Sequence, residues 1–429
     1  MTHFGIICPA ASSHLNLMSN LGYELKKRGH RLTLFGIMDI QSQALARGLE
    51  FQAISPSQFP TKTMTSYFGQ LGQMSGLSAI GYTAGWISKW LDILLREAPD
   101  VLKQVGVEAL LVDQASFEGG TIAEFLDIPF ITLCSGLVGN QHPIIPPWNT
   151  SWRYNPTLWS CWRNQLGYTL LNVIDQPIWN VVAKYRREWN LPPFLTRNHA
   201  YSKLAQITHQ PAEFEFPRTD LPDYFHFTGP FHHLQNQKSI PFPYEKLTGQ
   251  PLIYASMGTV QNCQINVFKK IASACAGLDM QLVISLGGST SPEWLSNLPG
   301  NAIVVSYAPQ LELLQKATLT ITHAGMHTTL ESLSNGVPMV AIPITHDQPA
   351  VAARIAWTGT GEVIPLDKLN VSRLRNAIKR VLTEESYKQN ALRLQAAIHQ
   401  SGGVSKAADI IEKAVSTGKP VLAKNLIEF

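Results

Sequence analysis

Two doubly wound α/β domains facing each other across a cleft are the architecture this 429-residue sequence predicts, and three observations predict it. Short apolar runs alternate with helical patterns through the first half. A proline-rich, aperiodic break follows at 229–251. A second alternating series then begins at Leu252. Apolar strands separated by helices build a parallel sheet covered on both faces. In such sheets ligands bind beyond the carboxyl ends of the strands.

The first series opens with Phe4–Cys8, an apolar run stopped by Pro9. Leu15, Met18, Leu21 and Leu25 then recur at spacings of three and four, as one face of a helix does. Gly29 suits the stop of that helix. Arg31–Ile37, Ala109–Val112 and Phe130–Cys134 read as further strands. The stretch 55–85 is rich in Ser, Gly, Thr and Gln, has weak periodicity, and is expected to be a mobile loop with room for one helix. Residues 143–195 hold six of the ten tryptophans: Trp148, Trp152, Trp159, Trp162, Trp179 and Trp189.

The break at 229–251 contains four prolines and reads as a linker. Strands of the second series are expected at Leu252–Ala255, Gln281–Leu286, Ile303–Ser306, Thr318–Thr322 and Met339–Pro343. By its Leu, Ile and Ala spacing the stretch 371–417 is helical throughout. The expected organisation is a first domain over 1–228, a linker over 229–250 and a second domain over 251–404. A final helix and tail, 405–429, should pack back on the first domain.

Bulk properties exclude several classes. At 45% hydrophobic and 15% charged, the chain can fill more than one core. A net charge of +4 is too small for a nucleic-acid surface. Lys26-Lys27-Arg28 is the longest basic run and reads as a solvated helix face. Cys8, Cys134, Cys161, Cys263 and Cys275 are scattered and odd in number, with no Cys-x-x-Cys pair. That argues against a disulfide framework or a zinc site and for reduced thiols in a cytoplasmic protein. Met1–Cys8 has no basic leader and reads as a strand, not a signal peptide. No run approaches the ~18 apolar residues of a membrane span.

The richest chemistry lies between 307 and 348. Tyr307-Ala308-Pro309-Gln310 follows a strand. Thr322-His323-Ala-Gly325-Met-His327-Thr328-Thr-Leu-Glu331 follows another and opens a helix, and His346-Asp347-Gln348 follows the next. A strand running through Gly325 into a helix presents free N–H groups and a positive dipole end, which suits phosphate. His323 and Thr328 can donate to phosphate oxygens. Glu331, one turn on, can accept the two hydroxyls of a ribose. Tyr307 offers a flat face to a base, and Asp347 and Gln348 suit the hydroxyls of a hexose.

This stretch resembles the nucleotide-sugar signature of the UDP-glycosyltransferases, a family with the two-domain GT-B fold. The resemblance implies that Tyr307 stacks on uracil with Ala308 and Gln310 close by. His323, Gly325 and Thr328 would hold the phosphates, Glu331 the ribose, and Asp347 and Gln348 the sugar. Ser256-Met257-Gly258-Thr259 looks like the family's second phosphate-contacting turn. Plant members carry Trp at the place of Tyr307 and Trp-Asn at the place of Met326-His327, so the part His327 plays at the donor site stays open. The terminal Gln goes with glucose, so the donor expected is UDP-glucose, with no other cofactor.

Other readings of these residues compete. His323, His327 and Glu331 are spaced as three metal ligands on one helix face would be. No metal is expected, because Thr318–Thr322 reads as strand and Gly325 is a poor mid-helix residue. No Gly-x-Gly-x-x-Gly follows a strand, which argues against a nicotinamide site. No Asp-x-Asp occurs either.

Ser12-Ser13-His14 follows the first strand, and Leu111-Val112-Asp113 ends another. Sugar transfer needs a base for the attacking hydroxyl, and a neutral imidazole suits pH 7. The imidazolium formed needs a carboxylate partner. Taken alone, His14 would more often be a satisfied structural histidine. The resemblance assigns it as base and Asp113 as its orienting acid, with inversion at the anomeric carbon.

From Thr2-His-Phe-Gly5, through Val112-Asp-Gln114, Leu204-Ala-Gln-Ile207, Phe216-Pro-Arg218 and Gly229-Pro230, to Thr417–Leu422, the chain resembles one subgroup, the bacterial zeaxanthin glucosyltransferases. The partners this implies are a UDP-sugar and a lipophilic acceptor, first a hydroxylated carotenoid, met by peripheral contact with a membrane. Trp148 and Trp152 are the acceptor-site candidates. The whole tryptophan-rich stretch reads as core packing as readily as it reads as an acceptor channel or a membrane-touching surface taken together.

Overall fold

A computed structural model describes residues 1–71, 74, 76–231, 240–258, 265–288, 291–295 and 297–423. In chain order the first half is β1 (His3–Ile7), α1 (Ser12–Lys27), β2 (Arg31–Gly36), α2 (Gln41–Ala46), β3 (Glu50–Ala53), α3 (Thr63–Leu71), α4 (Gly76–Val105), β4 (Ala109–Asp113), α5 (Phe117–Leu126), β5 (Phe130–Cys134), α6 (Leu158–Ile174), α7 (Gln176–Glu188), β6 (Gln206–Thr208) and β7 (Phe225–Phe227). The second half is β8 (Leu252–Ser256), α8 (Ile265–Cys275), β9 (Gln281–Ser285), β10 (Ile303–Val305), α9 (Gln310–Leu314), β11 (Ala317–Thr322), α10 (Met326–Ser334), β12 (Met339–Ala341), α11 (Gln348–Trp357), β13 (Gly361–Val363), α12 (Val371–Thr383), α13 (Glu385–Gln400) and α14 (Gly403–Thr417).

Each half has its own parallel sheet. The strand orders are β3-β2-β1-β4-β5-β6-β7 and β10-β9-β8-β11-β12-β13. Both orders reverse once, between β1 and β4 and between β8 and β11. A reversal leaves a crevice beyond the strand ends, where doubly wound proteins bind ligands. The central strands are buried along their full length, which is why they read as unbroken apolar runs.

A shared core joins the halves. Leu137 and Phe214 of the first half pack with Met326, Leu330, Val351, Ala391 and Leu394 of the second. Glu215 and Arg354 form a fully buried ion pair across the same seam. The chain then returns. Ala407, Ala408, Ile411 and Ala414 of α14 bury themselves among Leu15, Met18 and Leu21 of α1. The Gly403 N–H donates to the Thr228 carbonyl at 2.6 Å.

Three expectations need correction, and four short strands were not expected at all. Much of 55–85 is helical, as α3 and the start of α4. Residues such as Thr63, Ser66 and Gly69 have weak intrinsic helix preference, but Tyr67 is buried with its ring 4.6 Å from that of Trp86, so packing overrides propensity. The stretch 371–417 is three helices, broken at Glu384 and at Gly402, which has φ +92°. Arg28 is not a solvated charge. Its guanidinium donates to Asp409 at 2.6 Å and to Glu412 at 2.8 Å, and so holds α14. Finally, β3, β6, β7 and β13 were not legible as strands. They are three or four residues long. Of the expected linker, 232–239 lies outside the described residues, as do Thr259, Cys263 and 424–429.

Candidate active site

The two sheet reversals put the candidate residues at opposing mouths. His14 stands in the first turn of α1, just past β1, and Asp113 is the last residue of β4. The His14 Nδ1–H donates to Asp113 Oδ2 at 2.8 Å, with the carboxylate wholly buried and the imidazole 24% exposed. Ser135, one residue past β5, places its Oγ 2.7 Å from the same Nδ1. Two oxygens on Nδ1 fix the ring and its tautomer, which leaves Nε2 with its lone pair. Burial alone would lower the His14 pKa. The charge of Asp113, its hydrogen bond and the field of Asp347 outweigh that, and the net shift is upward. Asp113 Oδ1 also accepts the Ala115 N–H at 2.9 Å, which holds the carboxylate in place.

Across the seam, β11 runs into Thr322, His323, Ala324 and Gly325 before α10 begins at Met326. Ala324 takes φ +65°, and its N–H is held by Thr322 Oγ1 at 3.1 Å. The turn leaves room for one imidazole. A Cβ added at Gly258 or at Gly325 would lie 2.5 Å from His323 Nε2. Glycine is therefore required on both sides of the ring, and His323 joins the β8 turn to the α10 turn. Burial pushes its pKa down to about 4, partly offset by the Ser256 backbone. The ring is thus a neutral donor at pH 7. His323 lies before the helix, so His323, His327 and Glu331 do not share a helix face. Among the described residues no cluster of three metal-ligating side chains occurs.

One turn along α10, Glu331 meets Gln310. Gln310 Nε2 donates to Glu331 Oε2 and, at 3.4 Å, to Thr328 Oγ1, and Gln310 Oε1 accepts the Tyr254 hydroxyl at 2.9 Å. Both ends of Gln310 are therefore committed within the protein. Burial pushes the Glu331 carboxyl up to about 7, with the Gln310 bond opposing. Tyr307 is 51% exposed and its ring lies over Gly288, where a Cβ would sit 2.0 Å from the phenolic oxygen. Ala308 is buried beneath. Ser256 Oγ accepts the Gly258 N–H at 3.4 Å.

Asp347 stands at the N-cap position of α11 and reaches the first half. A Cβ on Gly136 would lie 3.1 Å from its Oδ2. Its pKa is raised by burial, against the opposing fields of His346, His14 and Arg354. Gln348 is turned inward, since its Oε1 accepts the Ile344 and Thr345 N–H groups at 2.8 and 3.0 Å. Only its Nε2 remains for a sugar hydroxyl. His327 packs its ring 5.1 Å from that of His209, a residue just past β6 that the sequence did not single out.

His14, Asp113 and Asp347 are thus brought together, and so are Ser256, Gly258, His323, Gly325, Thr328, Glu331 and Gln310. The acceptor candidates are not joined to them by any described contact. Trp152 lies against Gly167 with the Arg163 guanidinium 4.5 Å over its ring, and Trp148 is 41% exposed. Ser135 and Glu118 escaped sequence reading. Burial and the charge of Asp113 push the Glu118 carboxyl up to about 7. The available signal for Ser135 was position: it directly follows the strand beside the one that carries Asp113.

A family model described as UDP-glucoronosyl and UDP-glucosyl transferase matches residues 96–407. The zeaxanthin glucosyltransferase of Pantoea ananas is 30% identical over 426 residues, which cover 99% of this chain and 98% of that protein. That of Pseudescherichia vulneris is 28% identical over 425 residues, covering 98% and 100%. Among solved structures, the calicheamicin glycosyltransferase matches with a TM-score of 0.75 at 22% identity, covering 98% of this chain and 100% of that one. This last likeness shows the fold, the GT-B arrangement of two parallel-sheet domains.

Proposed function

The chain belongs to the UDP-glucoronosyl and UDP-glucosyl transferase family and is a glycosyltransferase acting on a sugar donor, and from that premise we propose that it transfers glucose from UDP-glucose to a hydroxyl of a hydroxylated carotenoid, with inversion and without a metal ion, in the cytoplasm. The observation that carries this reading is the His14–Asp113 pair facing Asp347 across the seam.

In this mechanism His14 Nε2 takes the proton of the acceptor hydroxyl as its oxygen attacks the anomeric carbon. The C–O bond to UDP breaks, and its electron pair leaves on the β-phosphate. Asp113 balances the imidazolium through Nδ1–H, and Ser135 steadies the ring. His323 and the first-turn N–H groups of α10 stabilise the charge on the departing diphosphate, the part a cation takes in other sites. Glu331 receives the ribose hydroxyls and Tyr307 the base. Asp347, between the halves, receives hydroxyls of the sugar.

The acceptor is argued from likeness. Two relatives that span nearly the whole chain are named for zeaxanthin glucosylation. Polyketide, flavonoid and sterol alcohols are the competing acceptors. Purified enzyme, UDP-glucose and zeaxanthin in detergent micelles should yield hexosylated carotenoid by mass spectrometry, β-linked by NMR. Efficient glucosylation of soluble phenols with none of zeaxanthin would overturn the acceptor. An α-linked product would overturn inversion.

A further inference from the structure

Helix α6 turns an apolar face outward. Leu158, Trp159, Trp162, Leu166, Leu170 and Val173 are each between 48% and 91% exposed. From Trp159 they recur at spacings of three and four along a 17-residue helix, about 25 Å long. The Trp159 and Trp162 rings stack 5.3 Å apart. The opposite face, with Ser160, Asn164, Tyr168 and Leu171, is buried. A surface helix ordinarily turns its apolar stripe inward. Single exposed apolar residues need no explanation, but a contiguous row does.

Charge identifies what covers it. Residues 143–174 contain no Asp or Glu, and their only cations are Arg153 and Arg163. The next acid, Asp175, is paired with Arg197. A second copy packed symmetrically would bring like charges together, since a two-fold contact uses the same patch twice. An anionic lipid surface matches both features: tryptophan favours the headgroup level, leucine the acyl boundary, and the exposed Arg153 the phosphates, while Arg163 is held over Trp152 and on Asn164.

We propose that α6 is a membrane-docking helix that lies in the plane of an anionic bilayer with Trp159, Trp162, Leu166 and Leu170 in contact with lipid. Ser135, which touches His14, is joined to α6 by residues 136–157. The inference gives the lipophilic-acceptor reading its physical route and rests on it only for that purpose.

The test is flotation with vesicles of phosphatidylcholine, alone or with phosphatidylglycerol, carrying no carotenoid and no donor. Wild type should float with the anionic vesicles, and acyl-brominated lipid should quench its tryptophan fluorescence. The variant Trp159→Gln/Trp162→Gln/Leu170→Gln should partition at least about tenfold more weakly, with UDP affinity and unfolding temperature unchanged. Wild type that stays at the bottom, or a variant that floats equally well, would overturn the proposal. So would sedimentation showing a wild-type dimer and a monomeric variant without flotation, since the face would then be a self-interface. The vesicles hold no acceptor, so failure here leaves the carotenoid reading standing, and failure of zeaxanthin in micelles leaves docking standing.

Discussion

Glu331→Gln should weaken UDP binding and stabilise the protein at once. The Gln310 bond to Glu331 survives, because a carboxamide oxygen accepts as a carboxylate does. What is lost is charge toward the two ribose hydroxyls. A charged hydrogen bond contributes about 1 kcal/mol more than a neutral one, so two cost about 2 kcal/mol, or roughly 30-fold in Kd. Stability moves the other way. Burial holds the Glu331 pKa at about 7 in the folded chain. Between the ordinary carboxylate value and 7 the folded state keeps a proton that the unfolded state has released. Stability then falls as pH rises through that window. The side chain is partly open to water, which tempers the penalty to about 1–2 kcal/mol above pH 7. Calorimetry with UDP at pH 8, and thermal unfolding at pH 5 and pH 8, read both effects. The variant should unfold with wild type at pH 5 and at higher temperature at pH 8. Unchanged UDP affinity, or a variant less stable at pH 8, would refute the reasoning.

Asp113→Asn keeps an acceptor for His14 Nδ1–H but removes the charge, so turnover should fall roughly 10–150-fold. Asp113 pushes the His14 pKa up, so the acid limb of the pH–rate profile should move to lower pH in this variant, and a limb that stays put would contradict the pairing. Activity should survive excess EDTA, because His323 and the α10 N-terminus take the place of a cation; loss on chelation restored by magnesium or manganese would contradict metal independence. Arg354→Met leaves Glu215 buried without its partner and should cost about 3–5 kcal/mol in denaturant unfolding. Glu215→Gln added to Arg354→Met should recover much of that loss.

The sheets were legible because their central strands are unbroken apolar runs between glycine and proline stops. Phe4, Ile6, Leu110, Leu111, Ile253 and Ile321 are all fully buried. Their order was not legible, because parallel pairing leaves no local signal. The elements missed were the short ones and those made by packing, such as α3 around Tyr67. At the candidate site, a histidine or carboxylate at a strand end could be named in advance. Its neighbours could not. Ser135 looks like any serine after a strand, yet it lies 2.7 Å from His14. Gln310 and Gln348 read as ligand contacts, but the fold uses their side chains to brace Glu331 and the Ile344–Thr345 turn. The tryptophan-rich stretch mixed several environments: Trp152 packs beside Gly167, Trp179 stands over Phe117, and Trp159 and Trp162 face outward.

The most direct measurement is the turnover of His14→Ala with UDP-glucose and acceptor at pH 7, with UDP affinity and unfolding temperature taken on the same preparation. Among the described residues the ring's partners are two oxygens at Nδ1, and its removal leaves Asp113 with the Ala115 N–H. Turnover should drop by roughly 10²–10⁴ while the fold and the donor site persist. Near-normal turnover by a folded, UDP-binding His14→Ala would contradict the assignment of His14 as the base.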